Sequence, residues 1–204
     1  MGGLIMSKND VISAENNLTK KDFRSIFWRS FTLLGSMNYE RMEALGFLYS
    51  IMPALKKIYK DDPEGMKAAC HRHMVAFNMT VAPSPFVMGI AVAMEELAKK
   101  DKNFDVNSIN AVKVSLMGPL SGIGDTFFWG IFRILACALA VGFAQQGNPI
   151  APFVLLIVFN IPNFATRYFC LKWGYQNGTQ ALVNMEKSGK MQLFTHCAGI
   201  VGVA

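Results

Sequence analysis

Apolar residues recur at helical spacing early in the chain. Residues 19–22 read T-K-K-D, a capping-box pattern that predicts the start of a helix. The apolar positions that follow at helical spacing are Phe23, Ile26, Phe27, Phe31 and Leu34. Lysine and arginine lie off this stripe, so the helix either lies in a membrane interface or faces a protein core. The apolar surroundings favour the interface.

The next segments alternate between apolar helices and polar breaks. A second apolar helix is predicted over 44–59 and a third helix over 66–77, separated by the turn D-D-P-E-G at 61–65. Residues 81–94 are apolar but too short to cross a bilayer, which takes about 20 residues. Because this stretch also holds two prolines, it predicts a half-helix or re-entrant segment. Residues 95–110 are the most polar part of the chain and are expected in water.

The second half of the chain predicts a broken segment followed by a helical hairpin. Residues 117–125 read M-G-P-L-S-G-I-G-D, and three glycines with a proline disfavour a helix interior. An apolar run at 126–144 and a returning run at 150–165 flank the uncharged turn Q-Q-G-N-P at 145–149. The predicted fold class is an all-α membrane protein with amphipathic N-terminal helices, re-entrant or broken intramembrane segments and a helical hairpin.

Composition supports a membrane setting. Apolar residues make up 52% of the 204 residues and charged residues 17%, below the roughly 25% of an average soluble domain. The net charge of +6 is spread over lysine pairs instead of a dense basic stripe, which argues against nucleic-acid binding. Basic residues collect beside apolar segments and at the returning end of the hairpin. The positive-inside rule therefore predicts a multi-pass protein with the hairpin tip outside and the N-terminus in the cytoplasm.

The glycine-rich stretch is the strongest candidate for a functional site. A non-helical backbone at membrane depth needs protein or water partners, and transporters use such breaks to build substrate sites. Asp125 ends this stretch and is either a helix N-cap or part of such a site. Arg133 follows two helical turns later, and it either pairs with Asp125 or faces a partner subunit.

The polar residues at 37–43 form a second candidate site. Glu40 and Glu43 are three residues apart, which predicts that they share a helix face. Carboxylates beside apolar segments are costly and often functional, although a solvated helix start is the simpler interpretation. Amide and carboxylate groups, such as those of Asn38 and Glu40, suit a sugar site because they bind several hydroxyls at once.

The sequence does not predict a metal site, a cofactor or a catalytic centre. His71 and His73 are two residues apart, so they point to different faces of a helix and do not form a zinc pair. The four cysteines include no C-x-x-C pair, and an activated nucleophile with its base is not evident. These observations argue against an enzyme.

Three motifs in order along the chain carry a family resemblance. They read G-S-M-N-Y-E-R-M-E-A-L-G-F at 35–47, M-G-P-L-S-G-I-G-D-T-F-F-W-G at 117–130, and A-T-R-Y at 165–168 with G-Y-Q-N-G at 174–178. From about Leu18 onward the chain resembles the IID component of the mannose/fructose/sorbose class of the bacterial phosphotransferase system.

The resemblance implies a transport subunit of the bacterial inner membrane without a phosphorylation site of its own. It implies a IIC membrane partner, cytoplasmic IIA and IIB phosphocarriers, a hexose-type sugar, membrane lipid and an oligomer of IIC–IID pairs. By motif matching, Asn38, Glu40 and Asp125 are the candidate sugar-binding residues. The candidate structural or gating positions are Arg41, Gly118, Pro119, Gly122, Gly124 and Arg133.

Residues 1–18 are predicted to be a disordered leader and residues 19–204 a single IID-type domain. Residues 193–204 are apolar over about half of one span, and the resemblance implies a further apolar region, so a missing C-terminal part is expected. Two hypotheses stay open. The chain either shapes a sugar path together with IIC, or it is a structural or docking subunit, or an inactive truncated product, that does not contact sugar.

Overall fold

The computed structural model describes residues 18–188, with side chains described for residues 18–178. The helices are α1 (Lys20–Arg29), α2 (Ala44–Ile58), α3 (Pro63–His73), α4 (Ser84–Lys100), α5 (Asn107–Asp125), α6 (Arg133–Gln145) and α7 (Ala151–Ser188). A 3₁₀ helix at Ser30–Ser36 extends α1, and a π-helical segment at Thr126–Phe132 joins α5 to α6. The predicted leader, apart from Leu18, and the apolar stretch 193–204 lie outside the described residues.

The predicted capping box at the start of α1 is present. The Asp22 carboxylate accepts hydrogen bonds from the backbone N–H and the hydroxyl of Thr19, at 2.7 and 2.6 Å. Ile26 and, in the 3₁₀ helix, Leu33 are fully buried, whereas Trp28 is exposed. One face of this helix therefore packs against the protein core, as the second of the two interpretations predicted.

The helix α4 differs from the prediction at both ends. Of the half-helix expected at 81–94, residues 84–94 belong to a regular helix of 17 residues, and residues 81–83 form the turn before it. Pro85 lies in its first turn, where a missing N–H breaks no helical hydrogen bond. Glu95 and Glu96, which were expected in water, are 0% and 7% exposed. They are buried because α4 continues unbroken and packs against other helices along this whole length.

The long helix α7 packs lengthwise on α4, and this is the most extensive contact between helices of the described chain. Glycines bring the two backbones together. A Cβ on Gly89 would overlap the Leu171 carbonyl, and a Cβ on Gly174 would overlap the Phe86 carbonyl. Both helices run in the same direction, since Gly178 lies against Ile90, further along α4.

The predicted break at Gly118–Gly124 is wrong. The segment is helical, with Pro119 inside α5, and α5 continues through the π-helical segment into α6 as one rod from Asn107 to Gln145. A glycine in a helix costs only about 1 kcal/mol relative to alanine. An unpaired backbone group in hydrocarbon costs several kcal/mol, so the unbroken helix is the more stable form.

The predicted hairpin is confirmed. Its turn is closed by the N–H of Asn148, which donates to the carbonyl of Phe143 at 3.1 Å, and Gly147 adopts a positive φ of 69°. Asn107–Gln145 and Ala151–Gly178 are long and apolar enough to cross a membrane. Most of their side chains are not buried by the described chain, which leaves a broad apolar surface for lipid or a partner.

The close contact between α4 and α7 predicts that alanine is harmful at Gly174. Gly174→Ala should lower the melting temperature in detergent, because the added methyl group forces two backbones apart at a cost of about 1–3 kcal/mol. Gly142→Ala is the matched control, since Gly142 in α6 has open space around it and alanine favours a helix. Equal melting of the two variants would contradict the close contact.

Candidate functional site

The segment at 74–83, here called the linker, joins α3 to α4 and contacts both predicted sites. On one side, the backbone N–H of Glu43 donates to the carbonyl of Phe77 at 2.7 Å, and Phe77 N–H donates to the carbonyl of Arg41 at 3.4 Å. On the other side, Thr80 contacts α5. The linker therefore connects the loop at 37–43 to the membrane-spanning rod.

The loop at 37–43 is a turn and not the start of a helix. The Asn38 side-chain oxygen accepts the backbone N–H groups of Glu40 and Arg41, at 3.1 and 2.8 Å. Asn38 and Met42 also exchange two backbone hydrogen bonds, and Met42 has a φ of 52°. An asparagine side chain that bonds the following backbone favours a turn over a helix. The expectation that Glu40 and Glu43 share a helix face is therefore wrong.

Glu40 and Arg41 form the exposed edge of this turn. The Glu40 side chain is 80% exposed, and its carboxylate lies 3.3 Å from Nε of Arg41. Nη1 of Arg41 also donates to the carbonyl of Met74 in the linker, at 3.2 Å. Arg41 thus contacts both Glu40 and the linker.

Glu43 is the buried carboxylate of this region. Its Oε2 accepts the backbone N–H of Met79 at 3.0 Å, and the residue is 3% exposed. Burial raises the pKa of Glu43 to about 7, although the bond from Met79 acts in the opposite direction. Glu43 therefore changes charge near neutral pH at the junction of α2 and the linker.

Asp125 is held by the linker and not by Arg133. Its Oδ1 accepts the Thr80 hydroxyl at 2.6 Å, and the Thr80 N–H donates to Oγ of Ser121 at 3.3 Å. Gly124 makes this approach possible, because a Cβ there would lie 2.8 Å from the Thr80 side chain. Asp125 itself is exposed, so its second oxygen remains open to a ligand or a partner.

Arg133 lies two turns from Asp125, about 12 Å along the axis, which is too far for a direct ion pair. Its guanidinium instead stacks over the Trp129 ring, 5.3 Å from the centroid. The other predicted positions lie in α5: Gly118 has open space around it, Pro119 is half-buried, and the carbonyl of Gly122 accepts the Thr126 hydroxyl. Asn38, Glu40 and Arg41 meet in one turn, whereas Arg133 stands apart.

A buried ionic cluster lies inside the helical bundle, away from these positions. The Glu95 carboxylate receives Nε and Nη2 of Arg72 at 2.8 and 3.0 Å, the Tyr59 hydroxyl at 2.6 Å and Nε2 of His73 at 2.8 Å. The other ring nitrogen of His73 is 3.4 Å from Nζ of Lys113 on α5. The cluster therefore links α2, α3, α4 and α5.

The protonation states in this cluster follow from its contacts. Burial alone would raise the pKa of Glu95, but the bonds from His73 and Arg72 lower it to about 2. Burial lowers the pKa of His73 to about 4, so the ring is neutral at pH 7. A neutral His73 donates from Nε2 to Glu95 and accepts at Nδ1 from the Lys113 ammonium.

Sequence reasoning missed the roles of Thr80, Ser121, Glu95 and Lys113. For Glu95 a signal exists, since it lies three residues after Val92 and seven after Met88, on the same buried stripe of α4. Thr80 gives no comparable signal, because its partners are 41 and 45 residues away in the chain. Among the described residues, no group of three His, Cys, Asp or Glu could hold a metal ion.

A helical bundle joined to a hairpin of two long apolar helices defines a helical membrane protein. The family model for the mannose/fructose/sorbose family IID component of the phosphotransferase system matches residues 17–204. The chain therefore belongs to this family, and it is a membrane transport subunit of a sugar phosphotransferase system.

Curated relatives and a solved structure agree with this assignment. The chain is 38% identical to the mannose-specific EIID component of Escherichia coli K12 and 36% identical to the fructose permease IID component of Bacillus subtilis 168. These alignments cover 94% and 93% of the chain, and 67% and 68% of the relatives. A cryo-EM structure of the mannose transporter ManYZ with microcin E492 matches with a TM-score of 0.86 at 39% identity, over 93% of this chain and 69% of that one. The chain thus spans about two thirds of the length of its relatives.

The raised pKa of Glu43 predicts that its ionisation destabilises the fold. Relative to an unfolded pKa of 4.5, the stabilising contribution is complete below pH 4.5 and is lost as the pH rises through 7. Glu43→Gln should therefore gain melting temperature relative to the unsubstituted chain between pH 5 and pH 8. His73 favours the fold at higher pH, but it is common to both proteins and cancels in the difference. Glu64→Gln, at an exposed residue of α3, should show no such change.

The buried cluster predicts a large loss of stability on removal of the Glu95 charge. Glu95→Gln leaves the Arg72 guanidinium without its counter-ion and should cost about 3–5 kcal/mol. Thermal unfolding in detergent measures this loss, and Glu64→Gln should stay within about 0.5 kcal/mol of the unsubstituted chain. Similar unfolding of the two variants would show that the cluster contributes little.

Proposed function

We propose that this chain and a IIC-type membrane subunit together carry a hexose-type sugar across the bacterial inner membrane. Cytoplasmic IIA and IIB carriers supply the phosphoryl group, and the chain itself is not phosphorylated. The observation that carries this proposal is the position of Asp125. This exposed carboxylate lies on a membrane-spanning rod and is oriented by a hydroxyl from the linker. The relatives are named for mannose and fructose, and both sugars are hexoses.

The turn at 37–43 supplies the second part of the proposed sugar surface. Glu40 presents an exposed carboxylate beside Arg41, and the linker connects this turn to Asp125 within a few residues. In this proposal the carboxylates of Glu40 and Asp125 bind sugar hydroxyls or the gate that covers them. Asn38 acts on the turn itself, because its side-chain oxygen is occupied by two backbone N–H groups.

We also propose a multi-pass orientation with the N-terminus in the cytoplasm, which the arrangement of lysines supports. Lys57 at the end of α2 binds Asp22 at the start of α1, at 2.6 Å, and Lys99 at the end of α4 binds Asp62. These residues lie at the end of the helical bundle that faces away from the uncharged hairpin tip, as α4 and α7 run in the same direction. By the positive-inside rule this end is cytoplasmic. We further propose that residues 19–204 form one IID-type domain that works in an oligomer of IIC–IID pairs.

Sugar uptake distinguishes this proposal from a purely structural role. In cells that contain the partner subunits, Asp125→Asn and Glu40→Gln should each abolish uptake, because an amide has no negative charge and offers one acceptor oxygen instead of two. Both variants should still co-purify with IIC. Glu64→Gln is the control and should transport normally. Normal uptake by both site variants would instead support a subunit that packs against IIC without contacting the sugar.

A further inference from the structure

Arg133 is a charge at membrane depth without an acceptor in the described chain. It is exposed at the start of α6, and its guanidinium has the Trp129 ring as a neighbour. It forms neither an ion pair nor a hydrogen bond with another described residue. Twelve residues separate Arg133 from Gln145 at the hairpin tip, about 18 Å along the helix axis. This is near the middle of a hydrocarbon layer that is roughly 30 Å thick.

A second arginine, Arg167, finds hydrogen-bond acceptors for its guanidinium within this chain. Arg167 on α7 is buried, and its guanidinium donates to the Asn163 side chain at 2.8 Å and to the carbonyl and hydroxyl of Ser30 at 2.8 and 3.0 Å. It also lies over the Phe31 ring. Arg133 has no comparable set of acceptors among the described residues. Because an unpaired charge facing lipid at this depth is costly, Arg133 requires an acceptor that the described residues do not supply.

The surface around Arg133 is shallow and open. It is an open apolar groove along one face of the helix, and its lining residues are Trp129, Arg133, Ile134, Cys137, Ala138 and Val141. The small residues Cys137 and Ala138 lie in its middle, and small residues are what allow two helices to approach closely within a membrane. The side of α6 that faces α7 is different, since Ala136 and Ala140 are buried there.

A second copy of this chain does not supply the missing acceptor. Symmetric pairing along the groove would place Arg133 against Arg133, and like charges repel. The two apolar helices contain a single acidic residue, Asp125, between Asn107 and Gln145 and none between Ala151 and Gly178. Asp125 lies two turns from Arg133, about 12 Å along the axis, so in a parallel symmetric pair it is too far from Arg133 of the other copy. Neither apolar helix, in this copy or in a symmetric second copy, therefore supplies an acceptor at the level of Arg133.

We propose that this groove binds a transmembrane helix of the IIC-type partner, and that a carboxylate on that helix pairs with Arg133. The inference rests on the proposed function, because it assumes that such a partner is present. It adds the contact surface on this chain and the chemical character of the partner helix: apolar, closely packed at Cys137 and Ala138, and acidic at the level of Arg133.

Photo-crosslinking tests the surface without altering Arg133. p-Benzoylphenylalanine is placed at Val141 in the groove or, as the matched control, at Leu139. These positions are 53% and 44% exposed, and they point to opposite sides of α6 because two residues are about 200° apart on a helix. With the complete complex in native membranes, the Val141 position should crosslink to IIC and the Leu139 position should crosslink to lipid. Crosslinking to IIC from Leu139 alone, or to lipid from both positions, would overturn the proposal.

Charge substitution tests the ion pair. Arg133→Met should reduce the IIC that co-purifies roughly tenfold or more, because the partner carboxylate is left buried and unpaired. Leu135→Met, on the opposite side of α6, should retain IIC. Suppressors of Arg133→Glu selected in IIC should replace an acidic residue by lysine or arginine. Full retention of IIC by Arg133→Met, or suppressors without charge reversal, would overturn the pairing.

Failure of this inference is distinguishable from failure of the proposed function. If the unsubstituted chain co-purifies with IIC and supports uptake while Arg133→Met behaves in the same way, the proposed function stands and the Arg133 contact is wrong. If the unsubstituted chain does not bind IIC at all, both proposals are wrong.

Discussion

The close parallel contact between α4 and α7 is the constraint on which the rest of the structure depends. It joins the helical bundle to the membrane hairpin, and it exists only because Gly89 and Gly174 let the two backbones approach. Once the helices lie side by side, Glu96 on α4 reaches the Tyr175 hydroxyl on α7 at 2.6 Å. The neighbouring Glu95 is buried inside the bundle, where Arg72 neutralises its charge and Tyr59 and His73 also bind it. The unbroken α4 therefore carries two adjacent buried carboxylates, Glu96 toward α7 and Glu95 toward the ionic cluster.

The sequence predicted the helices whose signals are local. The capping box of α1, the span of α2 and the hairpin turn were all correct to within a residue or two. It failed for α4 and α5, where proline and glycine suggested breaks. An interior glycine costs about 1 kcal/mol and an interior proline about 3 kcal/mol relative to alanine, whereas an unpaired backbone group in hydrocarbon costs several kcal/mol. Pro119 is therefore accommodated inside α5, while Pro85 lies in the first turn of α4, where it breaks no helical hydrogen bond.

The two motifs of the candidate site were predictable from the sequence, but the linker that contacts both of them was not. The motif at 35–47 and the glycine-rich motif both contact the linker, although neither contains a sign of the other. Thr80 makes the connection to Asp125, and its backbone N–H donates to Ser121. Thr80 is more than forty residues from both partners in the chain, so a local sequence pattern cannot predict these contacts. The helical spacing that suggested a shared face for Glu40 and Glu43 was also misleading, because Asn38 bonds the backbone of the turn and prevents the helix from starting there.

Some polar side chains of the membrane hairpin are hydrogen-bonded within the chain, whereas Arg133 has no acceptor among the described residues. This difference is the reason to expect a partner at Arg133. Lys113, Arg167 and one oxygen of Asp125 are bound within the chain, all where the bundle covers the hairpin. Arg133 lies beyond that cover, on a part of the hairpin where the exposed side chains are otherwise apolar. Lipid solvates those apolar side chains, but it does not solvate a guanidinium near the bilayer centre. In our proposal the acceptor for Arg133 lies on a partner helix, because no described residue beside it plays the part that Ser30 and Asn163 play for Arg167. The exposed Asp125 lies two turns away on the same rod, so a bound partner helix would adjoin the proposed sugar surface.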